Sequence, residues 1–338
     1  MGYRVAVVGA ISNVGIEILK ILAERQFPID EIQAVASSIS VGQQVSFGDD
    51  DVLNVIPLTE FDFKGFDFAF FAAERSVSAE FVPIAAETGC IVIDSSSQFR
   101  HEPEIPLIVP EINPEALVKY RLYNIIASPG YIALPLVMAL KPLHDAVGVR
   151  RVVVSTYQSV SGVGRTAMDE LFNQTRVMYM NQPVKKAELP KQIAFNVIPQ
   201  CGDFMPDGNT YQESGIVLET QKVLGVDIGI AVTCVRVPVF IGHSIAVAVE
   251  FENPLSGEAA RALLRKFPGL SVVDYRQEDG YVTPVEAVGE DSVFISRIRE
   301  DKSVENGLLF WLVSDNLRKG SALNAVQIAE SVVKDHLQ

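Results

Sequence analysis

The chain has 338 residues, 48% of them hydrophobic, and a net charge of −14. That much apolar sequence allows one or two domains with a large core, and the acidic balance argues against a nucleic-acid partner. Cys90, Cys201 and Cys234 are too few and too widely spaced for a disulfide framework or a zinc site, so no metal and a reducing cytoplasm are expected.

Arg4–Val8 is a continuous apolar run of the kind buried in a parallel sheet. Met1–Tyr3 leads straight into it, without the basic and apolar segments of a signal peptide. The turn Gly9–Gly15 and a helix with apolar spacing over Ile16–Leu22 follow. Strand, glycine-bearing turn and helix serve either of two ends: seating a pyrophosphate on helix N–H groups, or shaping a parallel sheet without a cofactor. The second strand, Ile32–Ala36, ends in Ser37–Gln43, where no acid stands ready for a ribose 2′-hydroxyl. A further strand, Phe66–Phe71, runs into Ala72–Ser78, and the segment Ile91–Arg100 places one cation, Arg100, in a polar loop.

Asn124 opens a short apolar strand that turns sharply at Ser128, Pro129 and Gly130 and continues as an apolar helix to about Leu143. Pro135 falls within the first helical turn, where its missing N–H costs little. Such a turn aims its first residue at the helix N-terminus, where an enzyme would seat a nucleophile beneath oxyanion donors. Here that residue is Tyr131. A phenol, with a pKa of about 10, is a poor nucleophile at pH 7 without a base beside it.

Arg151–Tyr157 reads as a β-branched strand leading to Gln158–Gly164, then a helix over Arg165–Thr175 with Met168, Leu171 and Phe172 on one side. Met178–Lys191 is polar and interrupted by proline, hence a long loop or arm. The longest apolar stretch, Val223–Val249, is broken by Asp227, Arg236, Pro238 and His243 and reads as buried strands rather than a membrane span. Within it, the Arg236 guanidinium can fork onto a carboxylate, and the His243 imidazole titrates near neutrality. Taken alone, a histidine placed like His243 is more often a hydrogen-bonded core residue. Alternation resumes at Ile245–Phe251 and Val293–Arg299, and Asp315–Glu330 begins as a loop and becomes an amphipathic helix.

From Tyr3 to about Val333 these segments resemble the aspartate-semialdehyde dehydrogenase family. The family reads N-P-N-C-S-T before the A-L-K-P-L-H that ends at His144, so its catalytic cysteine falls on Tyr131. Its G-A-T-G-x-V-G turn keeps Gly9, Val14 and Gly15 here but has Ser12 for the middle glycine. Its S-S-R-S-A-G-K loop, which binds the 2′-phosphate of NADP, keeps Ser38 but has Ile39 for the Arg and Gln43 for the Lys. A glycine pair over which the dinucleotide passes is Ala73 and Glu74. The resemblance implies that Arg100 grips the substrate phosphate, Gln158 positions the acyl group and Gly162 lies under the nicotinamide. It also implies that Arg236 binds the substrate α-carboxylate, His243 is the general acid/base and Asn316 sits in the cofactor-side loop. Anchored on Glu219–Lys222, the family's acid and phosphate-binding lysine fall on Gln212 and Gly215.

The fold implied is α/β and similar to glyceraldehyde-3-phosphate dehydrogenase. A Rossmann-like doubly wound domain, 1–128 with 319–338, accompanies a second α+β dimerisation domain, 129–318. The function implied is a catalytically depleted paralogue, similar to the Usg-type proteins. It would act as a homodimeric binding or subunit protein in the cytoplasm, without nucleic acid, membrane or a tightly bound cofactor, where the family uses NADP. The alternative is an NAD(P)-dependent semialdehyde dehydrogenase of altered chemistry in amino-acid biosynthesis. It would retain Gln158, Arg236 and His243, with Cys234 the nearest candidate nucleophile.

Overall fold

The first apolar run becomes the central strand of a parallel sheet. In the computed structural model, which describes residues 2–37, 42–49 and 51–336, Tyr3–Val8 is β1, followed by α1 (Asn13–Glu24), β2 (Ile29–Ala36), β3 (Gln44–Phe47) and β4 (Asp51–Pro57). Then come β5 (Phe68–Phe71), α2 (Arg75–Glu87), β6 (Ile91–Asp94) and β7 (Ile125–Ala127). The strand order is β3-β4-β2-β1-β5-β6-β7, parallel except for β3 against β4. β5 starts at Phe68 rather than Phe66, although Phe66 is also buried. The last helix, α8 (Leu323–His336), belongs to this unit, which comprises 1–130 and 321–338. Its Val326, Ile328, Ala329 and Val332 share one core with Val5 and Val7 of β1 and Ile18 and Leu22 of α1. Each such buried aliphatic side chain contributes about 1.5–3 kcal/mol. Arg25 completes the packing by donating two hydrogen bonds of 2.7 Å to Glu330.

Strand order reverses at β1, which lies between β2 and β5. In open α/β sheets the crevice outside the carboxyl ends of the strands at this point is the usual ligand position. The turn after β1 is tight there: Gly9 has φ 81°, and a Cβ on it would stand 2.3 Å from Ala72 O. Only glycine fits.

The second unit, 131–320, is built on a mixed sheet. Its elements are α3 (Ala133–Val147), β8 (Val149–Gln158), α4 (Arg165–Tyr179), α5 (Tyr211–Leu224), β9 (Gly229–Arg236) and β10 (His243–Phe251). They continue with α6 (Gly257–Leu264), β11 (Leu270–Val272), α7 (Pro284–Ala287), β12 (Val293–Glu300) and β13 (Gly307–Ser314). The order is β11-β12-β13-β10-β8-β9, with β8 and β9 parallel and β10 antiparallel to both β8 and β13. Ala133–Leu140 of α3 are buried without exception, as expected for a helix apolar all round, and α3 packs against α5 and the sheet. Strand alternation turns Ile245, Val247 and Val249 inward and leaves Ala246, Ala248, Tyr157 and Trp311 half-exposed on the other face. The rings of Tyr157 and Trp311 lie 5.3 Å apart on that face.

Two expectations need correction here. Phe172 does not join the α4 core; it is 57% exposed, and Ala167 and Leu171 fill the inner face with Met168 beside them. The arm begins later than Met178, because α4 runs on to Tyr179. From there to Thr210 the chain has no helix or extended strand, yet it is pinned. The buried Glu170 carboxylate accepts N–H groups of Ala187, Glu188 and Leu189, and Gln174 Oε1 accepts those of Ile193 and Ala194. Among the described residues no helix is long and apolar enough to cross a membrane.

Candidate active site

Register brings the residues of the second unit together. Gln158 is the last residue of β8 and pairs with Arg236, the last of β9; His243 is the first of antiparallel β10 and pairs with Ser314 at the end of β13. Three residue types distant in sequence therefore meet at one edge of the sheet. Tyr131 enters from the head of α3, and its ring meets the His243 ring edge-on at 4.6 Å between centroids.

The turn after β8 supplies the floor. A Cβ on Gly162 would lie 3.0 Å from His243 Nε2, 3.1 Å from an Arg236 guanidinium nitrogen and 3.2 Å from Tyr131 Oη. Glycine at this position is what lets the three polar groups gather over one point. Gln212, from the first turn of α5, completes the wall: its Nε2 donates to Tyr131 Oη at 3.2 Å and to Gln158 Oε1 at 3.1 Å.

Beneath them lies a polar layer that sequence reasoning missed. Ser159 N–H donates to His243 Nδ1 at 3.0 Å, and the Ser159 hydroxyl lies 2.9 Å from the same nitrogen. Asn316, in the loop expected on the cofactor side, is buried; its Oδ1 accepts Gly242 N–H at 2.9 Å, and its Nδ2 donates to Ser161 Oγ at 3.0 Å. Ser159 and Ser161 carry no signal of their own in the sequence, because their role depends on which strand end they face.

His243 is fully buried, and burial, with the Arg236 cation as a second cause, holds its pKa well below the ordinary histidine value. The imidazole is neutral near pH 7. Its Nδ1 receives Ser159 N–H, and Nε2 has no hydrogen-bond partner among the described residues. Arg236 is buried too and spends one N–H on Ser159 O at 2.8 Å.

The remaining expected residues lie in the first unit. Ser12 caps α1: its hydroxyl accepts Gly15 N–H at 3.0 Å and donates to Ala72 O at 3.1 Å. Gly15 packs against the turn so closely that a Cβ would be 2.1 Å from Gly9 O, and Val14 rests on the core. Arg100 bridges the ends of β6 and β7, donating to Ser95 O at 2.6 Å and Ser128 O at 2.9 Å. Glu74 is exposed at the N-cap of α2 and makes no capping bond. In the second unit, Gly215 is buried inside α5. Ser38 and Ile39 lie outside the described residues.

Comparison with known proteins agrees with this division. The NAD-binding domain of semialdehyde dehydrogenases matches residues 4–120, and the semialdehyde dehydrogenase dimerisation domain matches 140–319. The chain is 49% identical to the aspartate-semialdehyde dehydrogenase of Rickettsia bellii over 99% of each chain, and 45% identical to that of Aquifex aeolicus over the whole of both. It superposes on the crystal structure of aspartate semialdehyde dehydrogenase II from Vibrio cholerae with a TM-score of 0.96 at 43% identity, covering 99% of this chain and 100% of that one. With a doubly wound first unit, a dimerisation-type second unit and family segments at every strand end of the site, the chain belongs to the aspartate-semialdehyde dehydrogenase family.

Proposed function

We propose that this chain is a catalytically depleted member of the family, of Usg type, that works as a homodimeric binding or subunit protein in the cytoplasm. The observation that carries the reading is Tyr131 at the head of α3, with no thiol able to replace it. Cys234 is buried in β9 and its thiol is pushed up to about 12, chiefly by burial; burial raises Cys201 as well. The thiolate is the nucleophilic form, so neither cysteine offers one at neutral pH. That weakens the alternative of an altered dehydrogenase built on Cys234.

The first unit does not fit a dinucleotide diphosphate. Ser12 spends its hydroxyl across the two turns at the switch point, between Gly15 N–H and Ala72 O. Glu74 sets a carboxylate at the N-terminus of α2, where a phosphate would be repelled, and Gln43 brings no charge to the 2′-phosphate loop. Each lost charge-assisted contact costs roughly 2–3 kcal/mol, and several together take a micromolar site to millimolar or weaker. Pairing of two copies is supported by the dimerisation-domain match and by the half-exposed apolar face carrying Ala246, Ala248 and Trp311.

The test is a calorimetric titration with NADP and, separately, with NAD. No saturable heat up to about 1 mM is expected; low-micromolar binding of either contradicts the reading.

A further inference from the structure

The second half of β12 carries a feature that the groups over Gly162 do not use. Its register against β13 slips between Ser296 and Arg299, so that Arg297 and Ile298 together stand opposite Phe310. Within this bulge Arg297 has a φ of 58°, the left-handed region that a Cβ disfavours. A bulge re-aims side chains. Here it turns Ile298 inward, where it is buried, and leaves Arg297 and Arg299 both exposed. Two side chains brace the strained backbone: Arg261 donates to Ile298 O, and Arg299 Nη1 donates to Arg297 O at 2.9 Å.

Arg297 and Arg299 line a cavity of about 410 Å³ with Arg276, Tyr275 and Tyr281, a size typical of small-ligand sites. Arg261 also borders it, but Asp274 neutralises that cation at 2.6 Å. Arg276, Arg297 and Arg299 have no carboxylate at ion-pair distance among the described residues. Asp301, which Arg299 influences only as the last of several causes, is bonded to Ser303 instead. Acids outnumber bases 42 to 28 in this chain, yet three guanidinium groups share one cavity without a counter-charge, one of them set there by strained backbone. A guanidinium forks onto carboxylate or phosphate oxygens, and the Tyr275 and Tyr281 rings, both exposed, offer flat apolar walls to a carbon skeleton. We infer that this cavity binds a compact small molecule with as many negative charges as there are free arginines, carried on carboxylates or phosphates. It shares no residue with the groups over Gly162 and does not rest on the depleted reading.

The experiment is a calorimetric titration of the full chain at low salt with citrate, inorganic triphosphate and acetate. At least one of the two polyanions is expected to half-saturate the protein below about 1 mM, and whichever binds more tightly names the source of the charge. Acetate should be weaker by about tenfold or more, and about 0.5 M NaCl should weaken the polyanion by a similar factor, because exposed charges are screened. Arg276→Gln with Arg297→Gln removes two cations and leaves the brace at Arg299. The double variant should lose about tenfold in polyanion affinity, with melting temperature and sedimentation unchanged. No binding of either polyanion at about 10 mM, acetate binding equal to theirs, or wild-type affinity in the double variant would each overturn the inference. A double variant that sediments as monomer where the wild type is a dimer would also overturn it, since the arginines would then face a second copy of the chain. The NADP and NAD titrations should be the same in wild type and double variant; tight cofactor binding in both would contradict the depleted reading and leave this site untouched.

Discussion

Two turns in this molecule, one in each unit, do opposite things with the same raw material. After β1, Ser12 bridges Gly15 N–H and Ala72 O, so the polar groups at the switch point are spent on one another. After β8, Gly162 stays bare and three polar side chains gather above it. Both strand frameworks are those of the family. What differs is whether the turn is closed by its own side chain or left open to a ligand, and that is decided by one or two residues without disturbing the sheet.

The largest expected effect separates the two turns by stability. In Gly15→Ala the new Cβ meets backbone, 2.1 Å from Gly9 O, and neither partner can give; about 3 kcal/mol or more should be lost in urea unfolding. In Gly162→Ala the contacts are 3.0–3.2 Å and to the ends of side chains rather than to backbone, so about 1–2 kcal/mol is expected. Equal costs would erase the contrast between a structural turn and a binding turn.

Next is Asn316→Ala, which strips a partner from Gly242 N–H and from Ser161 beneath His243. Leaving buried groups unpaired costs about 1–3 kcal/mol, and the same denaturation measurement reads it. If Asn316 belonged to an open cofactor surface instead, the change would be within about 0.5 kcal/mol, the usual range for surface substitutions.

These residues also show where the sequence was readable and where it was not. Arg236 and His243 stood out because their types and spacing matched a family segment, and the strand assignments around them put both at strand ends. Gln212 was visible only as the position of a missing acid; its bond to Tyr131 depends on how α5 lies against α3. Ser159 and Ser161 look like ordinary turn residues until the register of β8 against β10 sets them under the imidazole. Phe172 shows the limit of periodicity, since helical spacing marks a face but does not say how far around the helix its cover extends. Ser12 is legible in the sequence as a replaced family glycine, but not as a hydroxyl that bonds groups of both turns.

A smaller effect concerns pH. Burial and then Arg236 depress the His243 pKa in the folded protein, so below about 6.5 the unfolded chain takes up a proton that the native ring refuses. Unfolding is thus favoured by acid: the stability from this group is full above the unfolded pKa and declines as pH falls below it. The slope is at most about 1.4 kcal/mol per pH unit. Subtracting the pH–stability curve of His243→Gln from that of the wild type, between pH 7.5 and 5, should expose it; a flat difference would place the ring in water.

The smallest is Ser12→Gly. Removing the cap and the bond to Ala72 should cost about 1 kcal/mol, because glycine is nearly as good an N-cap and one neutral hydrogen bond is lost. NADP affinity should improve by less than about tenfold, since Gln43 and Glu74 remain.

The measurement that bears most directly on the account is the phosphate-dependent NADPH turnover of Tyr131→Cys, assayed with aspartate semialdehyde. A cysteine at the head of α3 regains the nucleophile and the helix N-terminus. It does not regain a seated nicotinamide, and positioning alone is worth on the order of 7–11 kcal/mol of a barrier. The account predicts no detectable turnover in this single variant. A rate typical of enzymes, about 1 s⁻¹ or more, would mean that Tyr131 was the sole lesion and would contradict it.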